Sequence, residues 1–155
     1  LAMTGFGYGK TQVTPLHMTM VTSAIANNGV MMKPRLVDKI TNKEGKTTFE
    51  SKDEILSKAT SEKTANEIRD MMVEVVNSGT GLAAFIDWVQ VAGKTGPADK
   101  SNGNIHAWFV GFARAYEPKI ALSIVVEDSQ GTGGEVAAPI AKNIIRDIFN
   151  TVSFE

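Results

Sequence analysis

Val91-Ala92-Gly93-Lys94-Thr95-Gly96, with Ile105 to Ala115 and Lys119 to Glu127 behind it, is the stretch whose reading decides the fold. Trp88-Val89-Gln90 leads into the first run, and Tyr116-Glu117-Pro118 separates the last two. All three read as strands. In the third, Ile120, Leu122, Ile124 and Val126 share one face while Ala121 and Val125 are apolar on the other. A strand apolar on both faces is one covered on both faces.

Outward from this sheet the periodicity changes. After the turn-like Gly131-Thr132-Gly133-Gly134, Ile140, Ile144 and Ile148, with Ala137, Ala141 and Ile145 adjacent, predict a closing helix. Its broad apolar face should lie on the sheet and leave Lys142, Arg146 and Asp147 in water. Upstream, Ser61 can cap a helix whose apolar face is Ala65, Ile68, Met72, Val75 and Val76, ending at Ser78-Gly79. From Pro34, Leu36-Val37 and Ile40, a turn at Lys43-Glu44-Gly45-Lys46 and Thr47-Thr48-Phe49 predict a surface β-hairpin. Thr14-Pro15 supplies an N-cap and a first-turn proline for a helix striped by Leu16, Met20 and Ala24, with Val21 and Ile25 beside them. Asn28-Gly29 stops it, and the Gly5-Phe6-Gly7-Tyr8-Gly9 run reads as a loop. The fold class is α+β: an antiparallel sheet, the closing helix on one face and the other helices on the opposite face.

The 155 residues suffice for one domain, and 43% hydrophobic against 21% charged residues allows a buried core. Sixteen Lys+Arg against seventeen Asp+Glu leave a net charge of −1, which argues against bulk attraction to nucleic acid or an anionic membrane. The absence of Cys removes disulfides, thiol nucleophiles and Cys-bearing metal sites. The longest apolar run, Ile120 to Val126, is far short of the roughly 20 residues of a membrane span. The chain opens at Leu1 in a Gly-rich stretch without an initiator Met, and is expected to be a piece of something longer.

Several chemistries can be set aside. Gly93-Lys94-Thr95 suggests a phosphate-binding loop, but the required first glycine would fall at position 88, which is Trp88. His17 and His106 have no ligand-like neighbours at useful spacing, so they read as structural or surface residues, and no metal or cofactor is expected. Asp87, Asp99, Glu127 and Asp128 read as solvated charges at strand ends, and Met18, Met20, Met31, Met32, Met71 and Met72 as core fillers on or near helices. Lys94-Thr95-Gly96 stands apart as a cationic strip at the end of an inner strand. Lysine supplies charge, threonine a donor for a carboxylate, and glycine lets a substrate approach the backbone.

With their surroundings, these residues resemble the C-terminal half of a penicillin-binding protein transpeptidase domain. Gly7-Tyr8-Gly9, Val13-Thr14-Pro15-Leu16 and Ala24-Ile25-Ala26-Asn27-Asn28-Gly29 are similar to the helix after the family's second active-site motif. Val91 to Gly96 is similar to its third motif, Ala107-Trp108-Phe109-Val110-Gly111-Phe112-Ala113 to the next strand, and Ala137-Ala138-Pro139-Ile140 to the start of its closing helix. The resemblance implies serine acyl transfer: a serine attacks the D-Ala-D-Ala end of a peptidoglycan stem peptide, and β-lactam antibiotics acylate the same serine. Lys94 would shape the field around the active-site serines, Thr95 would hold the substrate or antibiotic carboxylate, and Gly96 would keep the strand accessible. It further implies a parent anchored at the extracytoplasmic face of a bacterial membrane.

Two departures matter. The family's motifs are S-x-x-K, S-x-N and K-[ST]-G. No serine here has Lys three residues later or Asn two residues later, and Thr60-x-x-Lys63 falls in the wrong order. The nucleophile and its base are therefore expected in a missing N-terminal part of the same domain, and the isolated chain is expected to be inactive and to self-associate through its uncovered sheet edge. Second, the residue after Gly96 is Pro97, where the resemblance places one of two oxyanion-hole N–H donors. Proline has none. This leaves two readings: an enzyme fragment, or a non-catalytic binding or regulatory module marked by Pro97.

Overall fold

The computed structural model of the chain describes residues 12–99 and 105–154, without the side chains of 97–99. Helix α1 (Pro15–Ala26) starts as its sequence predicts: Thr14 is extended and its hydroxyl accepts the His17 N–H at 3.1 Å. Asn28 and Gly29, with φ of 52° and 87°, turn the chain out of it. The Gly5–Gly9 loop lies outside the described residues.

A small arm follows. Strand β1 (Val30–Met32), β2 (Lys39–Thr41), β3 (Thr47–Glu50) and β4 (Ile55–Lys58) form two antiparallel pairs, β1 with β4 and β2 with β3. The β2–β3 hairpin matches the predicted one, with Ile40 opposite Phe49, but it begins at Lys39. Leu36 and Val37 precede it as exposed irregular chain. The β1–β4 pair has no counterpart in the sequence reading: these three- and four-residue strands pair across a long insertion, beyond the reach of local periodicity. It also places Met31 and Met32 on a strand, while Met71, read as core, is exposed.

Helix α2 (Glu62–Asn77) is capped by Ser61, whose hydroxyl accepts the Thr64 N–H at 3.1 Å. It buries Ala65, Met72, Val73 and Val76. A short 3-10 turn (Leu82–Ala84) leads to the central sheet: β5 (Val91–Asp99), β6 (Ile105–Ala113) and β7 (Ile120–Ser129), antiparallel in that order. The chain closes through a π-helical turn (Gly133–Ala137) into α3 (Ala138–Thr151).

Strand alternation divides the core in two. Val91, Phe109, Ala113, Ile120, Leu122 and Ile124 meet Ala138, Ala141 and Ile145 of α3 on one face. Ala92, Phe112 and Ala121 meet Met72, Val73 and Ile68 of α2 and Ile25 of α1 on the other. The Ser123 hydroxyl, on this second face, donates to the Pro15 carbonyl at 2.8 Å and lies 2.9 Å from Thr19 Oγ1, fixing α1 to β7. The layered α+β arrangement is thus the expected one, and α2 buries Ala65, Met72 and Val76 of its proposed stripe, but only part of the stripes proposed for α1 and α3 is buried. Ile140 and Ile144 are exposed while α3 buries Ala138, Ala141 and Ile145. Small residues let the helix approach the sheet closely, so Ala138 and Ala141, with Ile145, line the contact. Arg146 and Asp147 are exposed as expected, but Lys142 is half-buried. In α1, Leu16 and Val21 are exposed and the buried residues are Thr22 and Ala24.

Packing at β5–β6 rests on a cross-strand glycine pair, Gly93 opposite Gly111. The fully buried Phe109 ring occupies the slot these glycines leave. A Cβ at Gly93 would lie 2.3 Å from its Cζ, and one at Gly111 3.0 Å from its Cε1.

Candidate active site

Lys94, Thr95 and Gly96 lie in the middle of β5, opposite Val110, Phe109 and Trp108. The sequence reading placed them at the end of an inner strand. Among the described strands, however, β5 is an outer one and continues to Asp99. The difference is chemically useful: an outer strand carries unpaired backbone groups along one flank.

Alternation sends the Lys94 and Thr95 side chains to opposite faces. Lys94 is exposed and its ammonium donates to the Thr95 carbonyl. Thr95 is 7% exposed and its Oγ1 lies 2.7 Å from Thr80 Oγ1. Gly96 is open: a Cβ built there meets nothing nearer than Trp108 Cβ at 3.9 Å. Pro97 pairs with Ala107 within β5. Proline is accepted in an outer strand when its nitrogen faces away from the neighbouring strand. The N–H that Pro97 lacks is therefore one on the open flank.

The turn that opens the closing segment sits behind this strand. A Cβ on Gly133 would fall 2.1 Å from the Trp108 carbonyl oxygen and 3.2 Å from the Gly96 nitrogen. One on Gly134 would fall 2.3 Å from the Thr80 carbonyl oxygen. Only glycines permit this approach. Thr132 and Glu135 lock the turn as a capping box: the Glu135 carboxylate accepts the Thr132 N–H at 2.8 Å, and the Thr132 hydroxyl accepts the Glu135 N–H at 3.4 Å. The Thr132 backbone N–H, then its side chain, hold the Glu135 carboxyl below the ordinary glutamate range. The Thr-x-x-Glu spacing was available in the sequence and was overlooked. Thr80 carried no spacing signal, because only the fold brings it to Thr95.

His17 is exposed on α1; His106 lies on β6 opposite Ala98, its buried Nδ1 without a hydrogen-bond partner among the described residues. No group of three or more His, Asp or Glu able to hold a metal occurs among the described residues. Asp87 precedes β5, whereas Glu127 and Asp128 end β7 at the opposite end of the sheet. A groove of about 650 Å³, lined in part by Trp88, Arg114, Tyr116 and Phe149, opens at the Asp87 end, away from Gly96. The strip on β5 is thus an exposed ammonium, a buried hydroxyl and an open backbone flank, suited to receive an anionic, extended ligand.

The family described as the penicillin binding protein transpeptidase domain matches residues 1–146. Stage V sporulation protein D of Bacillus subtilis is 37% identical over 94% of this chain and 24% of its own length. The peptidoglycan D,D-transpeptidase PbpA of Mycolicibacterium smegmatis is 36% identical over 94% of this chain and 31% of its own. Among solved structures, the D,D-transpeptidase domain of a peptidoglycan glycosyltransferase from Eggerthella lenta superposes with a TM-score of 0.84 at 41% identity, covering 91% of this chain and 33% of that one. Penicillin-binding protein A of M. tuberculosis, solved as an imipenem acyl-enzyme complex, gives 0.87 at 30% identity, covering 96% and 34%. The chain thus spans about a quarter to a third of the length of these relatives.

Proposed function

The chain belongs to the penicillin-binding protein transpeptidase domain family, and on that premise we propose that it forms one wall of a serine acyl-transfer site, as the C-terminal portion, 1–155, of a single transpeptidase domain. The observation that carries this reading is the open flank of β5 at Lys94, Thr95 and Gly96. An extended stem peptide lies along that flank, with its terminal carboxylate on the Thr95 hydroxyl. Lys94 supplies positive charge beside the reacting serine, and Gly96 leaves room for the peptide backbone. A serine and its lysine base from the S-x-x-K segment, with S-x-N beside them, come from polypeptide outside these 155 residues. The serine Oγ bonds to the penultimate D-Ala carbonyl carbon, terminal D-Ala leaves with a proton, and a neighbouring amine then takes the acyl group. A β-lactam enters the same first step, and its opened ring keeps the leaving nitrogen tethered.

In this reading the chain's first partner is the rest of its own domain. The outer strand β7 and the exposed Leu16 and Val21 of α1 are the surfaces such a partner covers, and in isolation they favour self-association. No helix among the described residues is long and apolar enough to cross a membrane. We further propose, from the family likeness, that an anchor elsewhere in the parent places the domain at the extracytoplasmic membrane face. Pro97 favours a second reading, a binding or regulatory module that kept the fold and lost the chemistry. Labelled penicillin separates the two: covalent labelling of a serine in the parent polypeptide supports acyl transfer, and binding of stem peptide without labelling supports the module.

A further inference from the structure

The hydroxyl of Thr80 meets that of Thr95 at 2.7 Å, and Thr80 belongs to neither the strand nor any motif that identified the site. It sits in the Ser78–Gly81 connection after α2, fixed on both sides. Gly79 and Gly81 N–H groups both bond the Val75 carbonyl, at 3.2 and 2.9 Å. On the other side, the closing turn approaches so closely that a Cβ on Gly134 would fall 2.3 Å from the Thr80 carbonyl oxygen. Thr80 therefore has little freedom to leave Thr95.

A threonine hydroxyl has one proton to donate and can accept two. If Thr95 donates to Thr80, nothing remains for a ligand carboxylate. If Thr80 donates to Thr95, the Thr95 proton is released toward the ligand and its oxygen is already satisfied. Thr95 is 7% exposed, so bulk water is poorly placed to substitute for this donor.

We propose that Thr80 is a positioning residue that donates to Thr95 Oγ1 and so orients the Thr95 hydroxyl proton toward the carboxylate of the substrate or β-lactam. The inference rests on the acyl-transfer reading above and adds to it a residue outside the Lys-Thr-Gly strand. Thr80 touches Thr95, not the reacting atoms.

The test is made on the parent polypeptide that carries the serine motifs, with penicillin and its carboxylate methyl ester as acylating probes. Thr80→Val should slow acylation by the free acid about 5- to 10-fold, the worth of one oriented hydrogen bond, and leave the slower ester reaction unchanged. Thr80→Ser should restore the acid rate, and Thr80→Val added to Thr95→Val should cost nothing further. Equal slowing of acid and ester would mark a purely structural role, and no slowing of either would mark no role; each overturns the proposal. If the unsubstituted parent is not acylated at all, acyl transfer itself has failed and the Thr80 assignment falls with it.

Discussion

Gly93→Ala tests whether the Phe109 ring and the glycine pair form one packed unit beneath the Lys-Thr-Gly strand. The new methyl would lie 2.3 and 2.8 Å from Phe109 Cζ and Cε2 and 3.2 Å from Val76 Cγ2. Phe109 is fully buried and Val76 is 1% exposed, so neither neighbour can swing into solvent. Overpacking of this kind costs about 1–3 kcal/mol, and the closeness of the contact places Gly93→Ala near the top of that range. Phe109→Leu, which trims the ring, should cost about 1–2 kcal/mol by itself, less than full truncation. Because the methyl occupies space the ring vacates, the double variant should cost about 2 kcal/mol rather than the sum of about 4, a coupling of about 2 kcal/mol within the range found for contacting residues. Urea denaturation of the four members of the cycle, with m held constant, measures this coupling. Additivity within about 0.5 kcal/mol would refute the argument that the glycines exist to seat the ring.

Three further outcomes follow from the same geometry. Gly133→Ala, whose methyl would lie 2.1 Å from the Trp108 carbonyl oxygen, should lower the melting temperature well beyond Gly45→Ala, which has φ of 80° but no atom within 4 Å. The latter should lose only about 1 kcal/mol of stability to backbone strain, and equal shifts for the two would refute the close approach. Glu135 contributes stability at pH values above its unfolded pKa, lost as the pH falls through its lowered folded pKa; Glu135→Gln should flatten the acid limb of the stability–pH curve, and an unchanged limb would count against the capping box. Pro97→Thr in the parent polypeptide should raise the penicillin acylation rate by about 10²- to 10³-fold if it restores an oxyanion donor, and an unchanged rate in stopped-flow acylation would show that the donor comes from elsewhere.

Legibility followed the range of each interaction. Thr14 and Ser61 announced their helices because a cap needs only the next three residues, and each hydroxyl accepts the N–H three residues on. The three strands of the sheet, the hairpin turn and the double-sided covering of β7 were equally local, written in period-two alternation and turn residues. Lys94, Thr95 and Gly96 could be read together as one strip because they are contiguous. The closing helix shows where this stops. Its apolar residues are spread widely enough to permit more than one buried face, and the close fit of Ala138 and Ala141 against the sheet selected the face that leaves Ile140 and Ile144 exposed.

The sequence by itself therefore determined the α+β class, the order of the three helices, the hairpin and the three sheet strands, and the chemical content of the Lys-Thr-Gly strip, since each is set by residues within a few positions of one another. Only the tertiary structure decided that β1 pairs with β4, that β5 is an outer strand among those described, and that Thr80 stands 2.7 Å from Thr95 across fifteen positions of chain. Those are contacts between distant segments, and their energy depends on shape complementarity that periodicity does not encode.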